Sequence, residues 1–237
     1  MRREYGFDNG NGTSVGKGLR FLAYPSIRYG SEKIESIAIA GRKGTLTKRT
    51  GIYTDTIITN KMEYVSESRE LSETERIVLT EWLKNTKTVS YSDMPDYFFK
   101  VKKVEIDDAL RKYGVYGNLT AEFTCDSGIY LKSGEKEQIV VSGTELNNLH
   151  SVCSPLYKIA GEGLLTLTVN GKKVTANVGQ NLTVDTELMT AYRKDGTIQN
   201  TVLNGDYEDL FLQSGDNVIT FSPGFTVSIV PRWRILL

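Results

Sequence analysis

The stretch LTLTVNGKKVTANV, residues 165–178, carries the strongest fold signal in the chain. Apolar residues alternate with polar ones on both sides of its centre, namely Leu165, Leu167, Val169, Val174, Ala176 and Val178. A period of two places alternate side chains on one face of a β-strand. Asn170-Gly171 separates the two runs, and this dipeptide favours a two-residue hairpin turn. The stretch therefore predicts an antiparallel β-hairpin.

Similar strand and turn signals occur along the rest of the chain. Residues 36–40 alternate and lead into Gly41-Arg42-Lys43-Gly44, which predicts a second hairpin. Residues 119–125 alternate strictly, with Thr and Glu facing outward. Near the end, the turn Ser222-Pro223-Gly224 separates two short apolar runs within residues 218–229, and we expect these runs to form a third hairpin.

One segment has helical rather than strand periodicity. Ser72 and Glu75 fit the capping box Ser-x-x-Glu, in which two side chains satisfy free amides at a helix start. Helical spacing follows at Ile77, Val78, Glu81 and Trp82, and Lys84-Asn85 suits a helix end. The pattern predicts one helix at about residues 73–84.

A polar segment divides the chain. Residues 132–137, KSGEKE, lack apolar side chains and carry charges of both signs, as is typical of a domain boundary. The sequence therefore predicts a mainly β protein of two domains. Residues 1–131 would form a β-barrel-like or sandwich-like domain with the helix, and residues 132–237 a small antiparallel β-sandwich.

The distribution of charge limits the functions of the chain. The 237 residues hold 29 Lys/Arg and 29 Asp/Glu, so the net charge of zero gives no argument for binding a polyanion. Residues 1–61 carry 11 Lys/Arg and 5 Asp/Glu, a charge of +6, and the remainder carries −6. A basic front and an acidic rear suit head-to-tail packing of identical chains. We expect no signal peptide and no membrane span, because no long apolar run exists.

Few residues point to catalysis. Cys125 and Cys153 could form one disulfide, but nothing in their spacing demands it, and alternation indicates that Cys125 is a small buried hydrophobe. His150, the single histidine, could act as a base for Ser151 or Cys153, although a histidine in a surface loop fits its polar surroundings better. We expect no enzyme activity, no metal and no cofactor.

Two sets of charged residues have alternative interpretations. The carboxylate pairs Asp107-Asp108 and Asp185-x-Glu187 could serve glycoside hydrolysis, but pairs of this kind in strands or turns usually form solvated faces. Arg42-Lys43 and Lys48-Arg49 could contact nucleic acid. Because no aromatic residues are interleaved with them, a solvated hairpin or an acidic protein partner fits them better.

Several motifs in succession resemble one known family. They are AGRKG at residues 40–44, SDMPDYFFKVKKV at 92–104, FTCD at 123–126, VDTE at 184–187, SGDNVI at 214–219 and PRWR at 231–234. In this order they resemble the distal tail protein (Dit) family of long-tailed phages that infect Gram-positive bacteria. The chain departs from the family at Ser127, where many relatives have Pro, and in its glycine-rich start. Its second half has no room for an inserted carbohydrate-binding module.

The resemblance implies a structural role in the virion. Proteins of this family form a hexameric ring, in some cases a double ring, at the distal end of the tail. The ring joins the tail tube protein to the tail-associated baseplate protein and, in some phages, holds receptor-binding proteins. DNA passes through the centre without sequence-specific recognition. The N-terminal domain would build the ring, and the C-terminal domain would be a galectin-like β-sandwich. The last strand, around residues 227–236, would return to the N-terminal domain.

The charge asymmetry makes Arg42, Lys43, Lys48 and Arg49 candidates for the interface between subunits. We expect assembly in the host cytoplasm. The alternative function is a carbohydrate-binding β-sandwich of the tail tip, which would need an exposed aromatic platform. The only Trp in the second half is Trp233, inside Pro231-Arg232-Trp233-Arg234.

Overall fold

The computed structural model describes residues 5–112 and 114–237, and of residues 69, 70 and 108–112 it describes only the backbone. Contacts divide the chain into two units. The first comprises Met1–Ile129 with Leu236–Leu237, and the second comprises Tyr130–Ile235. Both are built mainly from β-strands, and the described residues contain one α-helix, which confirms the predicted fold class. No described helix is long and apolar enough to cross a membrane.

The first unit contains strands β1 to β9 and the helix. Their bounds are β1 Phe7–Asp8, β2 Arg20–Phe21, β3 Ser26–Arg28, β4 Glu32–Ala38, β5 Thr45–Tyr53, β6 Thr56–Val65, α1 Arg69–Lys84, β7 Thr88–Tyr91, β8 Tyr97–Lys112 and β9 Tyr116–Cys125. The main sheet has the order β1-β7-β8-β9-β6-β2, and β3 also pairs with β6. The two-stranded sheet β4-β5 is separate from it.

The core of the first unit lies on the inward face of β6 and β9. These antiparallel strands pair from Thr56 opposite Cys125 to Val65 opposite Tyr116. The predicted alternation in residues 119–125 is confirmed, because Leu119, Ala121, Phe123 and Cys125 are fully buried. The helix α1 buries one apolar face in the same core, through Leu79, Trp82 and Leu83.

The predicted start of the helix is wrong, whereas its predicted end is confirmed. The N-cap is Ser68, whose hydroxyl accepts a hydrogen bond from the backbone amide of Leu71. Ser72 lies inside the first turns and is fully buried, and Glu75 instead accepts a hydrogen bond from the Ser66 hydroxyl. The capping box therefore does not form, and the helix begins about one turn earlier. It ends at Lys84, followed by Asn85 as the C-cap.

Strands β11 to β18 lie in the second unit, and the short strand β10, which begins at Ile129 in the first unit, pairs with β19. Their bounds are β10 Ile129–Leu131, β11 Gln138–Val140, β12 Thr144–Asn148, β13 Leu156–Val169, β14 Lys172–Asp185, β15 Thr190–Tyr192, β16 Leu203–Asn204, β17 Gly215–Phe221, β18 Thr226–Val230 and β19 Arg234–Ile235. A 3-10 helix, Lys132–Glu135, follows β10 directly, and Leu131 is its N-cap. Two further 3-10 helices span Asn200–Val202 and Tyr207–Leu210.

The long hairpin β13-β14 is the centre of the second sheet, whose order is β11-β18-β13-β14-β15. Its strands pair from Leu156 opposite Asp185 to Val169 opposite Lys172. Asn170 and Gly171 occupy the turn with φ of 52° and 81°, as a two-residue turn of this kind requires. The predicted hairpin at residues 165–178 is confirmed. Its inward residues, such as Leu167 and Val174, lie in the core of this unit.

The expected third hairpin within residues 218–229 is wrong. Its two strands, β17 and β18, exist but do not pair with each other. Both run antiparallel to β13, with β17 beside Leu167–Val169 and β18 beside Leu156–Ala160. The chain thus continues in one direction along β13, because both segments satisfy their backbone groups on this long strand. The intervening Ser222 donates its amide to the carbonyl of Thr166.

Candidate functional site

The glycine residues of its turn favour the hairpin β4-β5. Gly41 and Gly44 flank the basic residues of the turn and have φ of 81° and 89°, which favours glycine at both positions. The amide of Arg42 donates to the carbonyl of Ile39 across the turn. The predicted hairpin at this position is confirmed, and it places Arg42 and Lys43 at the tip of a two-stranded ribbon.

The four candidate interface residues all lie on this hairpin and are largely exposed. Lys48 forms an ion pair with Glu35 on the opposite strand (Nζ to Oε2, 3.6 Å), and Arg49 forms one with Glu32 (3.4 Å). Within the described chain, Arg42 and Lys43 have no ion pair. The charge of the tip is therefore uncompensated, and over residues 32–53 five Lys/Arg stand against two Glu, a net charge of +3.

Apolar side chains accompany the basic residues. Ile37 lies directly opposite Leu46, so both side chains project from one face of the ribbon. Ile37 is 43% exposed and Leu46 is 42% exposed, and the neighbouring Ile39 is exposed as well. A two-stranded hairpin without a sheet behind it is only marginally stable in water. Exposed apolar residues beside uncompensated charge are typical of a surface that contacts another protein.

The structure corrects our expectation that Asp185 and Glu187 form a solvated face. Asp185 is buried, and both of its carboxylate oxygens accept hydrogen bonds from Arg232. Its Oδ1 also accepts from the amides of Glu187 (3.0 Å) and Leu188 (3.1 Å). A carboxylate with this many donors holds the chain in place and has no free oxygen facing an open cleft. In the other pair, the side chain of Asp108 lies outside the described residues.

The geometry around His150 differs from that of a catalytic base. Its backbone amide donates to Asn148 Oδ1 (3.0 Å), and the Cys153 thiol donates to the backbone carbonyl of Ser151 (3.1 Å). The Cys153 thiol is fully buried, and burial raises its pKa. Burial likewise raises the pKa of Cys125, to about 12. Both cysteines are free. Reactive cysteines usually have a lowered pKa, so neither thiol has the properties of a nucleophile.

Trp233 does not form an open platform for a sugar ring. It is half-buried and packs against the apolar core of the second unit. Its carbonyl accepts a hydrogen bond from the amide of Leu131 (2.9 Å). Its backbone also packs closely on Gly134, where a Cβ atom would lie 2.3 Å from the Trp233 nitrogen. Within the described residues, no group of three or more His, Cys, Asp or Glu could hold a metal ion.

Comparison with solved structures shows which known fold this chain resembles. SPP1 Dit (gp 19.1), a hub protein of the adsorption apparatus of phages that infect Gram-positive bacteria, matches with a TM-score of 0.62. The match covers 96% of this chain and 98% of that chain at 14% sequence identity. This chain has a Dit-like fold. A chain of the phage P2 baseplate in its activated conformation with Ca matches with a TM-score of 0.54 at 11% identity, covering 97% and 98%.

The Dit-like fold is supported by a third structure, the phage p2 baseplate in its activated conformation with Sr. Its TM-score is 0.50 at 12% identity, and the match covers 95% of this chain and 97% of that chain. No protein-family model matches the sequence, and no curated protein matches it significantly. The resemblance of the motifs to the Dit family and the comparison of the folds therefore agree, although sequence identity is very low.

Sequence reasoning found the basic residues of the hairpin but missed its apolar pair. Ile37 and Leu46 are nine positions apart, and only the register of β4 with β5 reveals that they share a face. Alternation counted outward from the turn could have found this pair. The partnership of Asp185 with Arg232 has no local signal, because 47 positions separate them.

Proposed function

We propose that this chain is a structural protein of a phage tail tip, where it forms a hub that joins the tail to a baseplate. The observation that carries the proposal is the match to SPP1 Dit, which extends over both units and over 98% of that chain. A match of such coverage includes both domains in the same order along the chain and is not limited to one common module. The neighbours are hub and baseplate proteins, and we infer that this chain likewise acts by assembly rather than by catalysis.

The assembled form that we propose is a homohexameric ring with a central channel for DNA. Two such rings could also stack. A ring needs a heterologous contact, in which one surface of each copy meets a different surface of the next. The hairpin β4-β5 supplies one such surface, with Arg42 and Lys43 at its tip and Lys48 and Arg49 along its second strand. Its apolar pair, Ile37 and Leu46, supports this assignment, since the two residues are 43% and 42% exposed.

The domains and partners follow the same proposal. Residues 1–131 would build the ring, and residues 132–237 would form the outer, galectin-like domain, with the segment around 227–236 returning to the N-terminal domain. One face of the ring would contact the tail tube protein, and the other the tail-associated baseplate protein or a receptor-binding protein. We propose that the protein assembles in the host cytoplasm and resides in the virion.

The test is the mass of the purified protein by light scattering after size exclusion, at several protein concentrations and two salt concentrations. We expect six times the 26.5 kDa mass of one chain, or twelve times for a double ring, and sixfold rings by electron microscopy. Screening of surface charges predicts weaker assembly at the higher salt concentration. A monomer under all these conditions, with no rings in the presence of the tail tube protein, would contradict the proposal.

A further inference from the structure

A groove beside the helix has the features expected of a surface that receives the hairpin. It has a volume of about 330 Å³ and lies between α1 and the end of β6, lined by Lys17, Tyr64, Val65, Glu67, Glu75 and Val78 among others. Val65 and Val78 are each 50% exposed. The groove therefore combines uncovered apolar side chains with two carboxylates and one ammonium group, a net negative charge.

The exposed side of the helix continues this apolar surface. Leu71, Glu75 and Val78 follow each other at spacings of four and three, which places them on one face of α1. Leu71 and Val78 are exposed, although the helix buries its opposite face through Leu79, Trp82 and Leu83. A helix of a globular domain usually presents one apolar stripe to its core. The second stripe on α1 lacks a covering element among the described residues of its unit.

The charge of this region is opposite to that of the hairpin. By sequence, residues 63–81 contain six Glu and two Arg, a net charge of −4, against +3 for residues 32–53. The hairpin also has an apolar pair, Ile37 and Leu46, behind its basic tip. Both surfaces thus have exposed apolar side chains, and the two regions carry opposite net charges. Such complementarity favours encounter and fixes the orientation of two partners.

The topology places the two surfaces at opposite ends of one strand. The hairpin joins β6 at Thr56, where the amide of Gly30 donates to the Thr56 hydroxyl. The groove lies at the other end of β6, at Tyr64 and Val65. A strand of this length spans roughly 30 Å, since each residue adds about 3.3 Å. A contact between hairpin and groove is therefore suited to two copies of the chain, and it leaves a free hairpin and a free groove at the two ends of the pair.

We propose that the tip of β4-β5 in one copy docks into the α1 groove of a second copy, with Arg42 and Lys43 facing Glu67 and Glu75 and with Ile37 and Leu46 against Val65 and Val78. This inference rests on the proposed ring and names the surface that receives the hairpin. Because the contact is head-to-tail, repeated copies close into a ring or continue as a filament, according to the angle of each step.

The test uses paired variants of the full chain, measured by light scattering. Arg42→Glu/Lys43→Glu disables the hairpin, and its control is Arg193→Glu/Lys194→Glu, an exposed Arg-Lys pair beside a glycine turn in the second unit. Val78→Asp disables the groove, and its control is Ile77→Asp, the neighbouring residue, which is 56% exposed and does not line the groove. We expect at least about tenfold weaker self-association for the two disabling variants and wild-type assembly for both controls.

Mixing the two disabled variants distinguishes a head-to-tail contact from other arrangements. The Val78→Asp chain keeps an intact hairpin, and the Arg42→Glu/Lys43→Glu chain keeps an intact groove. We expect their mixture to form complexes of two chains that do not grow further. This result also shows that both variants are folded.

Three outcomes oppose the proposal at different levels. If the wild type assembles and either disabling variant retains the wild-type mass, the contact is wrong and the ring stands. If the mixture stays monomeric while both variants have wild-type thermal unfolding, the head-to-tail pairing is wrong. If the wild type never assembles, the proposed ring itself fails.

Discussion

Arg232 binds Asp185 with both arms of its guanidinium group, Nη1 to Oδ1 at 2.7 Å and Nη2 to Oδ2 at 2.9 Å. The Arg232 side chain is 15% exposed and the Asp185 side chain 3%. Asp185 is the last residue of β14, and Arg232 lies between β18 and β19. The ion pair therefore fixes the last segment of the second unit to the end of its central hairpin. Arg232 also has a φ of 55°, which is unfavourable for a residue other than glycine. Contacts that fix the residue, such as this ion pair, can maintain the conformation.

Replacing Arg232 should strongly destabilise the second unit. Arg232→Met leaves the buried carboxylate of Asp185 without its charged partner, and loss of one member of a buried pair typically costs about 3–5 kcal/mol. Chemical denaturation at pH 7 measures this free energy. Lys158→Met is the control, because Lys158 pairs with Glu137 at a site where both side chains are nearly half exposed. We expect that change to cost less than about 1 kcal/mol, and equal costs for the two variants would contradict the assignment.

The same pair predicts a pH dependence of stability. Burial raises the pKa of Asp185, but hydrogen bonds from Arg232 and from backbone amides outweigh burial and lower its pKa below the ordinary value. A carboxyl group with a lowered pKa stabilises the fold above its unfolded pKa, near 3.9, and this contribution is lost as the pH falls through the folded pKa. The stability difference between wild type and Arg232→Met should therefore shrink as the pH falls from 5 to 3. A constant difference over this range, measured by chemical denaturation, would refute the role of the charge.

The start of the helix predicts opposite effects for two serines. Ser68 is the N-cap, so Ser68→Ala should lower stability by about 1 kcal/mol. The hydroxyl of Ser72 is buried and has no hydrogen-bond partner. Ser72→Ala should leave stability unchanged or raise it, because it removes an unsatisfied group and alanine favours the helix. Chemical denaturation followed by circular dichroism compares the two variants. A larger loss for Ser72→Ala would instead support the capping box at Ser72 and Glu75.

Features that depend on neighbouring residues were predictable from the sequence. The turn at Asn170-Gly171 follows from the dipeptide itself, and the end of α1 follows from Lys84 and Asn85. The start of α1 was misplaced because Ser72 and Glu75 fit a capping motif, whereas Ser66 is the residue that binds Glu75. A motif of four residues does not specify which competing partner a side chain will choose.

Features that depend on distant partners were not predictable in the same way. The strands β17 and β18 follow one another with a turn between them, as in a hairpin, but the long strand β13 offers both of them a partner. The basic candidates Arg42 and Lys43 were identified because they lie in a local turn. The groove at Val65 and Val78 was missed, because it arises only when α1 packs beside the end of β6.

The central hairpin should depend on the glycine in its turn. Gly171 has a φ of 81°, and a side chain in this conformation costs about 1–2 kcal/mol. Gly171→Ala should lower the free energy of unfolding by that amount, as measured by chemical denaturation. Lys173→Ala is the matched control, because Lys173 is exposed, has no positive φ and lies two residues away. If both variants lose the same stability, strain in the turn is not the cause.

Both native thiols should be unreactive until the chain unfolds. Cys125 and Cys153 are fully buried, and burial raises the pKa of each, that of Cys125 to about 12. Since the thiolate is the reactive form, a disulfide reagent at pH 8 should label neither residue in the folded protein and two thiols per chain in denaturant. Ser142→Cys provides the control, because Ser142 is exposed and the new thiol should react in the folded state. One thiol or none in denaturant would instead indicate oxidation, and rapid labelling of the wild type would show that one of the two cores opens readily.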